Sequence, residues 1–408
     1  MQAASFLRGH WHIPIWKGSW TASDKHWEMI SDTDRRLLAL LAAGLGFKAP
    51  ETGLFEGDAD WDAVYRQAMR QTVAGVAFDG IRRLPAGLRP PRGVLLRWYG
   101  LVERVRNRNR LLNRRSAEAT AHFRALGHRS CILKGQANAL YYPDPLLRMP
   151  GDIDIWVEGR RRDLVRLAYR QCATVGAPVP HPQFHHVDIP LFPDVEVELH
   201  FYPTMLYSPL HHFRLQCLFR KERRTAMANF SAMPDNAGTI CRLPATVDVA
   251  FQLVHLRKHV ISGGIGLRQV ADLACLLRHM AHGGEGMGED LPHLLRRLAI
   301  SGFAAAMSHV LYVAFGEGIA PALRFLPPPD TRHGQCLLRE ILLGGNFGRY
   351  GSRASHQPAQ RGLGNFFALT RTAFRQVGHY PLEVLSSPIY RLAQYGWRLT
   401  LPHGKRLA

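Results

Sequence analysis

Residues 151–157, Gly-Asp-Ile-Asp-Ile-Trp-Val, alternate polar and apolar side chains without a break, in a chain whose long segments otherwise repeat every three or four residues. A strict period of two reads as a strand. Ile153, Ile155 and Val157 then enter a core, while Asp152, Asp154 and Trp156 project from the opposite face. Val195-Glu196-Val197-Glu198-Leu199-His200 repeats the device, with Glu196, Glu198 and His200 sharing one face. Shorter strand patterns lie at 130–133 and 185–191, and the second pairs with 194–201 as a hairpin across Pro193-Asp194. Helical patterns at Lys134-Gly135 through Tyr142 and at 160–174 fall between these strands, so 127–243 reads as a compact α/β unit.

Helical periodicity fills the rest. It runs over 35–46, 60–83 and 93–126 before the unit, and over 246–260, 265–280, 291–316, 334–343, 361–377 and 383–399 after it. The reading is therefore a helical region at 31–126, the α/β core at 127–243 and a helical domain at 244–408. Residues 1–30 hold four Trp and no clear period, so they read as an irregular arm. The arm also lies upstream of a possible start at Met29, beside a good helix opening at Ser31-Asp32-Thr33-Asp34.

Charge bears on partners. The chain carries 52 basic and 32 acidic residues for a net charge of +20, with only seven Lys against 45 Arg. Arg binds phosphate and carboxylate bidentately, which suits a nucleotide or nucleic acid. A GC-rich coding bias explains the same skew. Residues 93–126 concentrate Arg at 97, 104, 106, 108, 110, 114 and 115, either as a solvated face or as a phosphate-facing stripe. The six Cys are widely spaced with no C-x-x-C pair, and the longest apolar run near the N-terminus, 37–47, is half the length of a membrane span. These features lead to the expectation of a cytoplasmic protein with reduced thiols.

The chemistry concentrates in the acids. Asp152 and Asp154 lie ~7 Å apart along one strand face and repel each other unless a cation joins them. Carboxylate oxygens suit Mg²⁺ or Mn²⁺, and a third acid from the 194–201 strand would complete the ligand set of a phosphoryl-transfer site. By contrast, His181, His185 and His186 lack partners at structural-zinc spacing and read as ordinary histidines in a chain that has 21. Arg268 and Asp272 lie one helical turn apart and are expected to pair. No P-loop, G-x-S-x-G or G-x-G-x-x-G context is present, which disfavours kinase, serine-hydrolase and dinucleotide chemistry.

Leu133-Lys134-Gly135, Arg148, Asp152-Ile153-Asp154-Ile155 and Val197-Glu198-Leu199-His200 resemble the uncharacterised bacterial nucleotidyltransferases of the polymerase-β superfamily, over about residues 110–280. The resemblance implies an α/β (α+β) fold, with a small mixed-sheet core between N-terminal helices and a C-terminal helical domain. It implies a metal-dependent enzyme that moves a nucleoside monophosphate from an NTP to an acceptor and releases pyrophosphate. Asp152, Asp154 and Glu198 would hold Mg²⁺ or Mn²⁺. Lys134, Gly135, Gln136 and Arg148 would face the nucleotide, and His200 and Glu196 would stand behind Glu198. Gln136 departs from the pattern, which has a small residue there, and 16 residues rather than fewer separate Gly135 from Asp152. Arg148 is open to a phosphate or to an ion pair with Asp144 or Asp152. The acceptor is open among a small molecule, a peptide, a protein and tRNA. The alternative is a non-catalytic nucleotide- or RNA-binding protein, toxin- or antitoxin-like, on a degenerate transferase core.

Overall fold

The computed structural model describes residues 30–283, 290–346, 350 and 363–401; the tryptophan-rich arm at 1–29 lies outside them. The first helix, α1 (Asp32–Gly44), starts where Ser31 caps the Asp34 N–H and two acids occupy the first turn. The periodic stretch 60–83 is two helices, α2 (Trp61–Arg70) and α3 (Ala74–Arg82), because Thr72 adopts a φ of 52° that no helix interior tolerates. Next comes α4 (Arg92–Ala125), 34 residues long and therefore about 50 Å from end to end.

The α/β unit follows as β1 (Ser130–Ile132), α5 (Gln136–Ala139), β2 (Ile153–Val157), α6 (Arg161–Val175), β3 (His186–Ile189) and β4 (Val197–His200). The helix expected from Lys134 through Tyr142 is a single turn, and the chain then runs through a Pro-rich turn to Gly151. Two elements within 127–243 escape the sequence reading: α7 (Pro209–Ala226) and a small hairpin of β5 (Phe230–Ala232) and β6 (Thr239–Cys241). The C-terminal helices are α8 (Ala245–Ser262), α9 (Leu267–Ala281), α10 (Leu291–Arg297), α11 (Ser301–Phe315), α12 (Ala320–Leu323), α13 (Thr331–Gly344), α14 (Leu363–Phe374) and α15 (Pro381–Leu399). Ala299, at a φ of 52°, splits the expected 291–316 helix into α10 and α11. None of the described helices is long and apolar enough to cross a membrane.

The sheet is mixed, in the order β1-β2-β4-β3, with β2 and β4 parallel and both outer pairs antiparallel. One face carries Ile153, Ile155, Val157, Val187, Val197 and Leu199, packed against Leu112, Ala119 and Phe123 of α4 and Leu164, Val165 and Ala168 of α6. The N-terminal half of α4, with Trp98, Leu101 and Val105, belongs to a second and larger core shared with α1, α3, α8, α9 and α11. A single long helix thus ties the two cores together, and the other sheet face is left for polar groups between them.

Candidate active site

The parallel register of β2 and β4 sets Asp154 opposite Glu198 and Trp156 opposite His200. The antiparallel register of β3 and β4 sets Asp188 opposite Glu198 and His186 opposite His200. Residues in register point the same way across a sheet, so Asp154, Glu198, Asp188, His200 and His186 share the face away from the aliphatic core. Asp152 precedes β2 by one residue. Ligand oxygens of Asp152, Asp154 and Glu198 all lie within 4.8 Å of one another.

Lys134, at the turn after β1, reaches back to this group, its Nζ 3.1 Å from Asp154 Oδ1. His200 Nε2 lies 3.1 Å from the same oxygen and 3.2 Å from Glu198 Oε2. Burial by itself would lower the Lys134 ammonium, but the charges of Asp154, Asp152 and Glu198 outweigh it and hold the group above its ordinary value. Burial likewise opposes charge on His200, yet its hydrogen bonds to Asp154 and Glu198 raise it to about 9. Burial pushes the Glu198 carboxyl up, and the His200 and Lys134 contacts more than reverse this. Asp154 is 1 % exposed, and its Oδ2 is buried without a hydrogen-bond partner. A buried carboxylate oxygen left unpaired is costly, and a hard divalent cation shared with Asp152 and Glu198 would satisfy it.

Gly135 adopts a φ of 61°, and a Cβ there would come within 3.3 Å of the Asp152 carbonyl oxygen. The turn between β1 and α5 therefore favours glycine for its backbone and for its closeness to the acidic strand. Gln136, expected to face the nucleotide beside it, does not. Its side chain is buried and donates to Asn113 Oδ1 of α4, so the side chain serves packing.

Arg148 forms an ion pair, but not with either of the acids expected for one. Its Nε and Nη2 each donate at 2.8 Å to the two oxygens of Asp272, and neither Asp144 nor Asp152 is its partner. Asp144 instead accepts from Arg106 at 2.8 Å. With Asp272 engaged by Arg148, Arg268 is not paired with it as expected. Arg268 Nη1 donates to the Met149 and Pro150 carbonyls at 3.2 Å, while its Nε is buried without a partner. Both arginines line a cavity of about 330 Å³ with Lys134, Gly135, Asp152 and Asn346. On the other side of the acids lies a groove of about 960 Å³ lined by Asp152, Asp188, Glu196 and Glu198. Glu196 is exposed and Glu198 half-buried. Asp152 and Glu196 border both spaces, so the carboxylates stand where a basic cavity and an acidic groove meet.

The family model of the uncharacterised nucleotidyltransferases matches residues 57–315, which is well over half of the chain. The chain belongs to this nucleotidyltransferase family. The match extends the likeness beyond the sheet into α2 on one side and α11 on the other, so helices of both flanks belong to the family's common architecture. No curated protein and no solved structure matches the chain. As a nucleotidyltransferase the protein acts on a nucleotide, and the cluster of Asp152, Asp154 and Glu198 is compatible with that chemistry.

The sequence reading passed over two participants on this face. Asp188 is the fourth acid of the row, its carboxyl raised by burial and by the charges of Glu198, Glu196 and Asp152. The only signal for it was alternation in a four-residue strand. Lys258 of α8 reaches the face from the C-terminal helices, with its Nζ 2.9 Å from His185 Nε2. Burial and the Lys134 charge push that ammonium down to about 8.

The Arg run on α4 resolves mostly into local pairs. Arg97 is held by Asp62, Arg106 by Asp144, Arg110 by Asp235 and Arg115 by Asp194 and Glu118, while Arg108 donates to the Asp194 carbonyl. Acids interleaved with guanidiniums offset the field that a phosphate backbone would sense. RNA binding measured between 50 and 200 mM salt should therefore give a log–log slope no steeper than about −2, the value for two neutralised phosphates. A slope several times larger would restore the stripe as a nucleic-acid surface.

Proposed function

We propose that the chain transfers a nucleoside monophosphate from an NTP to an acceptor, with pyrophosphate leaving, and that Asp152, Asp154 and Glu198 hold the divalent cation this requires. The observation that carries the reading is the Asp154–Glu198 register across parallel strands, with a buried, unpartnered Asp154 oxygen at its centre. Mg²⁺ or Mn²⁺ would supply charge neutralisation for the phosphates and a lowered pKa for the attacking group.

The chain's own residues do the rest. The cavity with Lys134 and Arg268 suits the triphosphate, since these two cations line it beside the Asp272-paired Arg148 and Gly135 lets backbone come close. Lys134 lines that cavity and would be free to meet a phosphate if a cation held Asp154. Arg148 contributes from behind, by fixing the turn that delivers Asp152. The acidic groove takes the acceptor, so nucleotide and acceptor approach the carboxylates from opposite sides. His200 holds Glu198 and Asp154 in place through Nε2. Intact, closely spaced acids favour this reading over a degenerate nucleotide- or RNA-binding core, because repelling carboxylates without a task are costly.

Incubation with labelled NTPs, Mg²⁺ and lysate as acceptor source tests the reading directly. A labelled product is expected, and its absence with every NTP and with both Mg²⁺ and Mn²⁺ would favour the non-catalytic reading. Calorimetric titration with ATP or CTP gives a separate expectation. Affinity should fall at least tenfold in EDTA, since the triphosphate otherwise meets three bare carboxylates. Unchanged affinity without metal would place the nucleotide away from the acids.

A further inference from the structure

The carboxylate cluster leaves a second set of donors beside it unused. A ring nitrogen of His186, a Glu198 oxygen and a ring nitrogen of His200 also lie within 4.8 Å of one another. The set exists because β3 and β4 pair antiparallel with His186 opposite His200, which brings the two ring centroids to 5.0 Å. Both histidines are more than nine-tenths buried, at 8 % and 3 % exposure.

The two rings differ in how they are satisfied. His186 Nδ1 is buried without a hydrogen-bond partner, its closest acid oxygen being Glu198 Oε2 at 3.5 Å. His200 Nδ1 lies 3.3 Å from the Tyr202 carbonyl oxygen, which can only accept, so the proton belongs on that nitrogen. Nε2 meets Asp154 Oδ1 at 3.1 Å and Glu198 Oε2 at 3.2 Å, donating to them while the ring is protonated, and a bound ion would stand in that proton's place. A cation between the nitrogens and Glu198 would satisfy the unpartnered His186 nitrogen. The neighbouring His185 is not in this set: its Nε2 meets Lys258 Nζ at 2.9 Å.

We propose that His186, Glu198 and His200 form a binding site for a divalent first-row transition ion of the Zn²⁺ or Co²⁺ kind, next to the all-oxygen set and sharing Glu198 with it. Two imidazoles and a carboxylate select such ions, whereas Mg²⁺ takes oxygen ligands and keeps its waters. Three protein ligands are one fewer than a closed structural zinc site has, so the ion keeps a coordination position open. The Nδ1 contact of His200 with the Tyr202 carbonyl is the kind of outer hydrogen bond that fixes the tautomer of a metal-bound imidazole. The site goes beyond the transfer reading, since the ion binds whether or not a nucleotide is turned over.

Titration of the chelator-treated full chain with Co²⁺, followed by its visible absorption and without nucleotide present, tests the site. One ion per chain with nitrogen-ligated bands is expected, displaced by Zn²⁺ but not by a hundredfold excess of Mg²⁺. H186A should weaken binding by about tenfold or more and abolish the bands, while D152N should retain both. Bands that persist in H186A would assign the ion to exposed histidines and overturn the proposal. So would loss of binding in D152N with H186A unaffected, or ready displacement by Mg²⁺. If circular dichroism shows H186A unfolded, ring ¹⁵N spectra of the unaltered protein replace it. Zn²⁺ must then shift the His186 and His200 resonances, and a shift confined to other histidines overturns the site. A protein that binds Co²⁺ in this way yet transfers no nucleotide would refute only the transfer reading.

Discussion

Replacing Glu198 with Gln should cut single-turnover transfer by more than about 100-fold, a loss of about 2.7 kcal/mol of transition-state stabilisation. Glu196→Gln should stay within a few-fold. The two residues differ by one alternation step, so both lie on the same face of the chain, but only Glu198 is in register with Asp154. Glu198 is half-buried and contacted by His200, whereas Glu196 is exposed at the start of the strand. A neutral amide at 198 keeps the volume and removes the charge that a cation needs, so the fold should survive while transfer does not. Reversed effects would make Glu196, rather than Glu198, the acid that joins Asp152 and Asp154. Equal mild effects would remove β4 from the chemistry.

The second large effect concerns stability. Asp272→Asn should destabilise the fold by about 3–5 kcal/mol, read from the denaturant midpoint, because it leaves the buried Arg148 guanidinium without a counter-charge. Three hydrogen bonds end on this carboxylate: two from Arg148 at 2.8 Å and one from the Tyr142 hydroxyl at 2.7 Å. They clamp the turn before Gly151-Asp152 onto α9, with Asn109 of α4 donating to the Leu146 and Arg148 carbonyls from below. Replacing Arg148 and Asp272 together by Leu should recover much of the loss, since neither charge is then stranded. Burial pushes the Asp272 carboxyl up, but the Arg148 charge and hydrogen bonds outweigh it and hold the group below its ordinary value. A depressed carboxylate contributes fully above its unfolded-state value of about 3.9 and loses that contribution as pH falls through its folded-state value. Acid denaturation should therefore begin at higher pH, and at lower denaturant, in the Asn variant. A cost below about 1 kcal/mol would mean that water reaches the pair.

What could be read from the chain, and what could not, divides along the range of the interactions. The fold class was legible because alternation and helical period are local signals, and each strand face of the α/β unit must bury its aliphatic side. The helix breaks at Thr72 and Ala299 were not legible, since neither residue favours the left-handed conformation that packing imposes on it. The four-residue α5 replaced a longer expected helix for a related reason. Gln136 and the residues after it are drawn into contacts with α4 and α9, which no local period records.

The same division runs through the site. Alternation by itself determined that Asp152 and Asp154, and likewise Glu196 and Glu198, stand on the polar faces of their strands, because successive side chains of a strand must point to opposite sides. Which acid meets which depends on strand register, a property of two chain segments more than 40 residues apart. Only the tertiary structure decided that Asp154 faces Glu198, that His186 joins His200, and that Arg148 finds Asp272 across 124 residues of sequence. A charge in the interior takes whatever partner the packed helices bring within 3 Å, and composition and spacing carry no record of that distance.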